Sequence, residues 1–292
     1  MRLALLAVAA FAAAAPRFVA MDDAEIAREL RRVHAAQRPF AGRVDAGSER
    51  FLGIPYKLEA LGEGDAGEFD RDPLMSLRAL DCTTFVEEAM ALTLEPDLAK
   101  AKELLQKIRY NDGRVAFESR NHFTEADWIP NNVRAGFLAD VTARVGGDRT
   151  RWVEKKISKR DWYVTRSSSD LSGFGDEAPG RIEARVARWR ALADKVPDET
   201  VRLPYVPLEA LADVAANIPT GTIGNVIRES RDDKPTIVSH QFLILQRPGG
   251  PIMRHAAFGR QVMDVGLLDY FSRFKDSKWR VLGVNLDAVQ GR

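Results

Sequence analysis

Apolar residues recur at helical spacing in the first part of the chain and follow a β-rich pattern in the last part. The spacing predicts a helix over Asp22 to Gln37, with Ile26, Leu30 and Val33 on one stripe and Asp22 or Asp23 as its cap. A second helix runs from Cys82 to about Leu94, with Phe85, Val86, Ala89 and Leu92 facing a core. Pro96-Asp97 opens a third over Leu98 to Arg109, with Leu104, Leu105 and Ile108 on its apolar face. Gly47 to Leu61 reads as turn-rich and Gly62 to Asp72 as loop. Helices are also expected over Arg181 to Lys195 and Leu208 to Asn217. Strand signals gather late, at Val201 to Val206, Thr222 to Arg228, Thr236 to Gln246, Ile252 to Phe258 and Arg280 to Leu286. Pro248-Gly249-Gly250-Pro251 is the turn of a hairpin between two of them. Helices first and antiparallel strands afterwards argue for an α+β fold.

Composition narrows the class. At 292 residues the chain can bury a large core, and 45% apolar with 29% charged residues describes a globular protein. A formal net charge of +1 gives no field for nucleic acid or an anionic membrane. The single cysteine excludes an intramolecular disulfide framework and a multi-cysteine zinc site. At the N-terminus Arg2 precedes an apolar run, Leu3 to Ala15, too short to span a bilayer in the usual way. The expectation is a signal peptide over residues 1–20, cleaved between Ala13 and Ala20, with an uncleaved anchor as the alternative. The mature protein is then exported, periplasmic or extracellular, with no stable membrane insertion. Residues 21–292 are expected to form one domain, and the charged region around 148–200 reads as an insertion decorating it.

Cys82 sits at a helix start, where free N–H groups and the helix dipole favour a thiolate. The competing reading is a buried structural cysteine. His240 and His255 lie on adjacent strands of the hairpin, where antiparallel neighbours meet on one face. A nucleophilic cysteine needs a base and a third group to orient that base. Tyr110 to Asn132 is polar but aromatic and suits the wall of a substrate cleft.

These pieces resemble the papain-like cell-wall peptidase superfamily of the NlpC type, and within it the N-acetylmuramoyl-L-alanine amidase-like group. The resemblance rests on Leu52-Gly53-Ile54-Pro55-Tyr56, Leu80-Asp81-Cys82-Thr83-Thr84-Phe85, Ser119-Arg120-Asn121-His122-Phe123 and Asp127-Trp128-Ile129-Pro130-Asn131-Asn132. Val238-Ser239-His240-Gln241-Phe242 and Arg254-His255-Ala256 complete it. It implies a papain-like core with N-terminal helices packed on a C-terminal antiparallel sheet. It implies that Cys82 attacks an amide of peptidoglycan, that His240 is its base, and that His255 orients His240. Tyr56, Asp81, Thr83, Arg120, His122, Trp128 and Asn131 become candidate substrate contacts, and His122 competes as a catalytic histidine. No cofactor or metal is implied. The family commonly has Ser at the position of Ala257 and often Gly at that of Phe242, and both departures are expected to reshape the pocket. The expected reaction is hydrolysis of the N-acetylmuramic acid–L-alanine amide. The rivals are stem-peptide cleavage between D-glutamate and diaminopimelate, a zinc hydrolase using Cys82, His240 and His255, and a non-catalytic peptidoglycan-binding envelope protein.

Overall fold

The structure, a computed structural model, describes residues 15–291. Most of the expected signal segment, through residue 14, therefore lies outside the described residues. Four helices come first: α1 (Asp23–Ala36), α2 (Phe40–Glu49), α3 (Cys82–Leu94) and α4 (Leu98–Arg109). Reciprocal side-chain caps start two of them, Asp22 with Glu25 on α1 and Asp81 with Thr84 on α3. The short α5 (Ile129–Arg134) leads to β1 (Leu138–Asp140), α6 (Thr142–Gly146) and β2 (Arg151–Ile157). After α7 (Lys159–Val164) and α8 (Pro179–Ala191) come β3 (Glu199–Pro207) and α9 (Leu208–Val214). The chain ends in β4 (Thr222–Arg228), β5 (Val238–Leu245), β6 (Ile252–Ala256), β7 (Val262–Gly266), α10 (Leu267–Ser272) and β8 (Val281–Val289).

The strands form one antiparallel sheet in the order β2-β3-β8-β4-β5-β6-β7. On the side of β8 away from β4, β3 meets Gly283 and Val284, while β1 meets Asp287 to Val289. One face of the sheet is covered by the N-terminal helices. There Ile223, Ile227, Leu243 and Leu245 share a core with Phe85, Val86, Ala89 and Met90 of α3. The other face turns Val226, Phe242, Ile244 and Val284 toward Leu211 and Val214 of α9 and Leu267 and Phe271 of α10. The expected α+β packing is therefore present on one face, and a second helical layer closes the other. Residues Thr84 to Thr93 of α3 are all buried, so this helix is buried on every side, beyond the single apolar stripe its sequence suggests.

Phe18, Phe51 and Phe85 stack edge to face, with centroids 5.3 and 5.5 Å apart. Full burial of such a ring is worth roughly 2–3 kcal/mol. Helix α2 falls in a stretch whose periodicity gives no helix signal: Gly42 and Gly47 weaken it, and among its residues Val44 and Ser48 are buried. Tertiary contacts hold it instead, because buried Arg254 donates to the Ser48 hydroxyl at 2.8 Å and to the Asp45 carbonyl at 3.1 Å. The region around 148–200 does more than decorate the surface. It supplies β2 at the sheet edge and encloses a small aromatic core, where Phe69 stacks on Trp189 at 5.0 Å and Phe117 packs edge-on to Trp189 at 4.8 Å.

Candidate active site

Cys82 is the first residue of α3, so its own N–H needs no intrahelical partner. The Asp81 carboxylate accepts from Thr84 N–H at 2.8 Å and from Glu59 N–H at 3.1 Å, which fixes the helix start against the preceding loop. The pairing of β5 with β6 runs from Leu245–Ile252 to Leu243–Arg254 and stops, while β5 continues beside β4 through Gln241 to Val238. Helix α3 packs on both parted strands. The Gln241 N–H thereby reaches the Cys82 sulfur, as do the hydroxyl and N–H of Thr83. The Gln241 side chain is anchored by a buried ladder across three strands. It donates to Asn225 at 2.9 Å, and Asn225 donates to Asn285 at 2.8 Å and to Asp287 at 2.7 Å.

His240 and His255 project to one face, and His240 Nε2 lies 2.8 Å from His255 Nδ1. Burial pushes His240 down to about 3, with the charges of His255 and Arg228 adding to it. Burial pushes His255 down to about 4; Arg273 and Arg260 reinforce this and Asp264 opposes it. Burial also pushes the Cys82 thiol up to about 11, and the Asp81 carboxylate adds to that against the N–H groups of Gln241 and Thr83. The resting site is a neutral thiol beside neutral imidazoles. The helix start alone favours a thiolate, but desolvation and the adjacent capping carboxylate outweigh it.

Cys82, His240 and His255 line one cavity of about 640 Å³. Tyr56 and Tyr270 share its wall, and the Tyr270 ring lies 5.4 Å from His255 and 6.0 Å from His240. Burial and the neighbouring Cys82, Asp81 and Glu59 raise the Tyr56 phenol, so it stays protonated and can donate. At the rim, Phe258 is 79% exposed and meets Tyr56 edge-on at 5.2 Å. Arg228, Arg260 and Arg273 also line the cavity, and no aspartate or glutamate is among its lining residues. Phe258 and the three arginines carry no signal in hydrophobic periodicity. The one available clue was position: Phe258-Gly259-Arg260 follows the His255-Ala256-Ala257 motif directly, and Gly259 has the positive φ of a turn.

Of the two departures from the family pattern, Ala257 lines the cavity but Phe242 does not. The Phe242 ring points into the core and covers Gly224 on the neighbouring strand, where an added Cβ would lie 2.3 Å from it. A glycine on β4 thus makes room for the bulk that β5 carries.

The other sequence candidates divide sharply. Tyr56 lines the cavity, and Thr83 touches the Cys82 sulfur. Asp81 is consumed as helix cap and loop anchor. The residues from the expected cleft wall line the framework instead. Arg120 is clamped between Glu63 and Asp70. His122 has its Nε2 2.8 Å from the Phe117 carbonyl, in hydrogen-bond contact with it, and its ring is held against Phe117 at 4.2 Å and Trp162 at 4.8 Å. Trp128 is fully buried and donates to Glu87 at 3.0 Å. Asn131 donates to Asn121 at 2.6 Å and lines a separate pocket of about 380 Å³ beside Arg134. A stretch rich in aromatics and polar tips can build a second core as readily as a cleft, and here Trp162 and Trp189 from the region around 148–200 supply the partners.

Among the described residues no three His, Cys, Asp or Glu side chains are arranged to hold a metal. The 2.8 Å contact between the two histidines is hydrogen-bond length, shorter than the roughly 3.3 Å between two nitrogens on one tetrahedral zinc. No helix among the described residues is long and apolar enough to cross a membrane.

Comparison with solved structures places the fold. A Legionella pneumophila protein is 26% identical, with a TM-score of 0.83 over 91% of this chain and 95% of its own. An N-acetylmuramoyl-L-alanine amidase from Bacteroides uniformis is 24% identical, with a TM-score of 0.64 over 86% of this chain and 99% of its own. A Bacteroides fragilis protein proposed to be a xylanase is 26% identical, with a TM-score of 0.60 over 84% of this chain and all of its own, 100%. No curated protein matches the sequence. The family model described as AmiA-like, N-acetylmuramoyl-L-alanine amidase-like, matches residues 46–277, which hold Cys82, both cavity histidines and the three cavity arginines, and the chain belongs to that family.

Proposed function

We propose that the protein is an exported cysteine amidase of papain-like architecture that hydrolyses the N-acetylmuramic acid–L-alanine bond of peptidoglycan. The observation that carries this reading is the hydrogen-bonded pair His240–His255 in the same cavity as Cys82. With both imidazoles neutral, the productive tautomer has His240 Nε2–H donating to His255 Nδ1, which leaves His240 Nδ1 as an acceptor. His240 takes the thiol proton as Cys82 Sγ bonds to the amide carbonyl carbon. The oxyanion is met by the Cys82 N–H and the Tyr56 hydroxyl, each such donor being worth roughly 3 kcal/mol. The protonated His240 then gives its proton to the leaving amine as the C–N bond breaks, forming a thioester. Water, deprotonated by His240, cleaves the thioester and restores the thiol. His255 orients His240 and accepts from it without carrying a charge of its own.

The amidase family and the Bacteroides uniformis relatives favour the muramoyl–alanine bond. Glycoside hydrolysis, the activity proposed for the Bacteroides fragilis neighbour, needs a pair of carboxyl groups, and the lining of this cavity offers none. Export follows from the apolar run after Arg2 and from a substrate that lies outside the cytoplasm. Phe18 packs in the core against Phe51, so a cut as late as Ala20 would remove a core ring, and cleavage ahead of Phe18 is the reading that keeps it.

Muropeptide digests read by mass spectrometry test the proposal. The expected products are stem peptides beginning with a free L-alanine amine, and these are lost in Cys82→Ala and after thiol alkylation. Products that retain muramoyl-L-alanyl-D-glutamate would show stem-peptide cleavage instead. Binding without turnover by the unmodified protein would show a non-catalytic role.

A further inference from the structure

The arginines at the cavity have a feature that the amide chemistry does not use. Arg228, Arg260 and Arg273 all line the space around Cys82, and among the described residues none of them forms an ion pair with a carboxylate. Arg228 is half-buried and is held by neutral oxygens only: the hydroxyls of Ser239 and Ser277, each at 2.9 Å, and the Trp279 carbonyl. The Arg273 guanidinium rests on the Tyr270 ring at 4.7 Å and its Nε donates to the Tyr270 carbonyl at 3.3 Å, which leaves the two terminal nitrogens of the fork for a ligand. Asp264, the acidic group whose field reaches His255, is already held by both oxygens in the Arg254 fork at 2.7 and 2.8 Å. Three guanidinium groups facing a cavity without a counter-charge focus a positive potential there, and a planar fork matches a carboxylate in geometry as well as charge.

We infer that Arg228, Arg260 and Arg273 form a carboxylate-binding subsite, so that the enzyme selects amides whose peptide flank carries a free carboxylate over the same amides with that carboxylate masked as carboxamide. This deepens the proposed amidase reading and rests on it. Arg228 is braced by the fold and sets the inner position; Arg260 and Arg273 are exposed and reach the substrate from the rim. A peptidoglycan stem offers two sources of such a group: the α-carboxylate of its D-glutamyl residue and the C-terminal carboxylate.

The experiment compares kcat/KM on N-acetylmuramoyl-L-alanyl-γ-D-glutamyl-L-lysine, on the same compound with the D-glutamyl α-carboxylate amidated, and on the same compound with the C-terminus amidated. At least one amidation is expected to lower kcat/KM by about tenfold or more, mainly through KM, and the arm that does so names the carboxylate. In Arg260→Gln and Arg273→Gln that preference shrinks toward unity, and Arg→Lys at the same position restores part of it. Circular dichroism of each variant checks that the fold is retained. Equal rates on all three compounds, or a preference unchanged in both Gln variants, overturn the subsite and leave the amidase reading standing. Cleavage of none of them overturns both.

Discussion

Two sets of arginines lie in the same chain and differ in company. Behind the segment from Arg109 to Asn132, Arg109 is buried against Glu87 and the Leu61 carbonyl, and Arg120 sits between Glu63 and Asp70. Around Cys82, Arg228, Arg260 and Arg273 have neutral neighbours or solvent. The histidines divide in the same way. His122 is enclosed by Phe117 and Trp162 with its Nε2 in hydrogen-bond contact with a carbonyl, while His240 has another histidine as partner and an open cavity beside it. Groups whose partners are already in place hold a structure together, and groups without them are available to a substrate. Residue type does not separate the two regions, because both use arginine, histidine and aromatic rings.

The largest expected effect uses the histidines. His240→Ala should lower kcat/KM by about a thousandfold or more, as loss of a base in a nucleophile–base pair does. It should do so without loss of secondary structure. His122→Ala should lower stability by about 1–3 kcal/mol through lost packing and leave kcat/KM of the folded protein within about threefold. Thermal unfolding and steady-state kinetics on the same preparations check both. A His122 variant that folds normally but loses activity by a hundredfold would dissolve the distinction.

The arginines give the next effect. Arg109→Met leaves Glu87 buried with only the Trp128 N–H as partner and should cost about 3–5 kcal/mol. Arg273→Gln breaks no ion pair and should change stability by about 0.5 kcal/mol or less. Urea unfolding measures both. Similar losses in the two variants would mean that the cavity arginines brace the fold as the buried ones do.

What could be read from the sequence follows this same division. The starts of α1 and α4 were legible because Asp22 and Asp97 act locally, and the apolar spacing marked α1, α3 and α4, while Asp81, the cap of α3, was read as a substrate contact. The hairpin was legible from its Pro-Gly-Gly-Pro turn, and with it the meeting of His240 and His255 on one face. Helix α2 and strands β1 and β2 were not, since each depends on partners far along the chain: Arg254 for α2, β8 for β1 and β3 for β2. Within the site, the Cys82 and histidine positions could be read, while the roles assigned to Arg120, His122, Trp128 and Asn131 could not. A list of aromatic and polar residues does not say whether they face a cavity or one another. The cavity arginines were illegible for a related reason: an unpaired arginine and a paired one look the same until the carboxylates are placed.

The smallest expected effect concerns pH. With His240 held down to about 3, His255 to about 4 and the Cys82 thiol up to about 11, all three stay in one protonation state across the neutral range. Between about pH 5 and pH 9 kcat/KM should therefore vary by about threefold or less, and an acid limb at the ordinary imidazole value near 6.5 would break this account. Stability carries two opposed slopes. The cavity histidines are lowered in the fold, so the unfolded chain takes up protons first; their contribution is complete above about 6.5 and is lost as pH falls toward 4 and 3. Asp287, at the far end of the ladder behind Gln241, is raised from 3.8 to about 7 by burial and by Asp140. Its contribution is complete below 3.8 and is lost as pH rises through 7, the reverse slope. Asp287→Asn removes that titration while keeping a side chain that fits the same space. The variant should gain on the parent protein in relative stability between pH 4 and pH 8, by about 1 kcal/mol or more, with the gain read from urea midpoints at each pH. A constant difference across that range would mean that Asp287 does not change its protonation there, and that the ladder behind Cys82 holds a carboxylate after all.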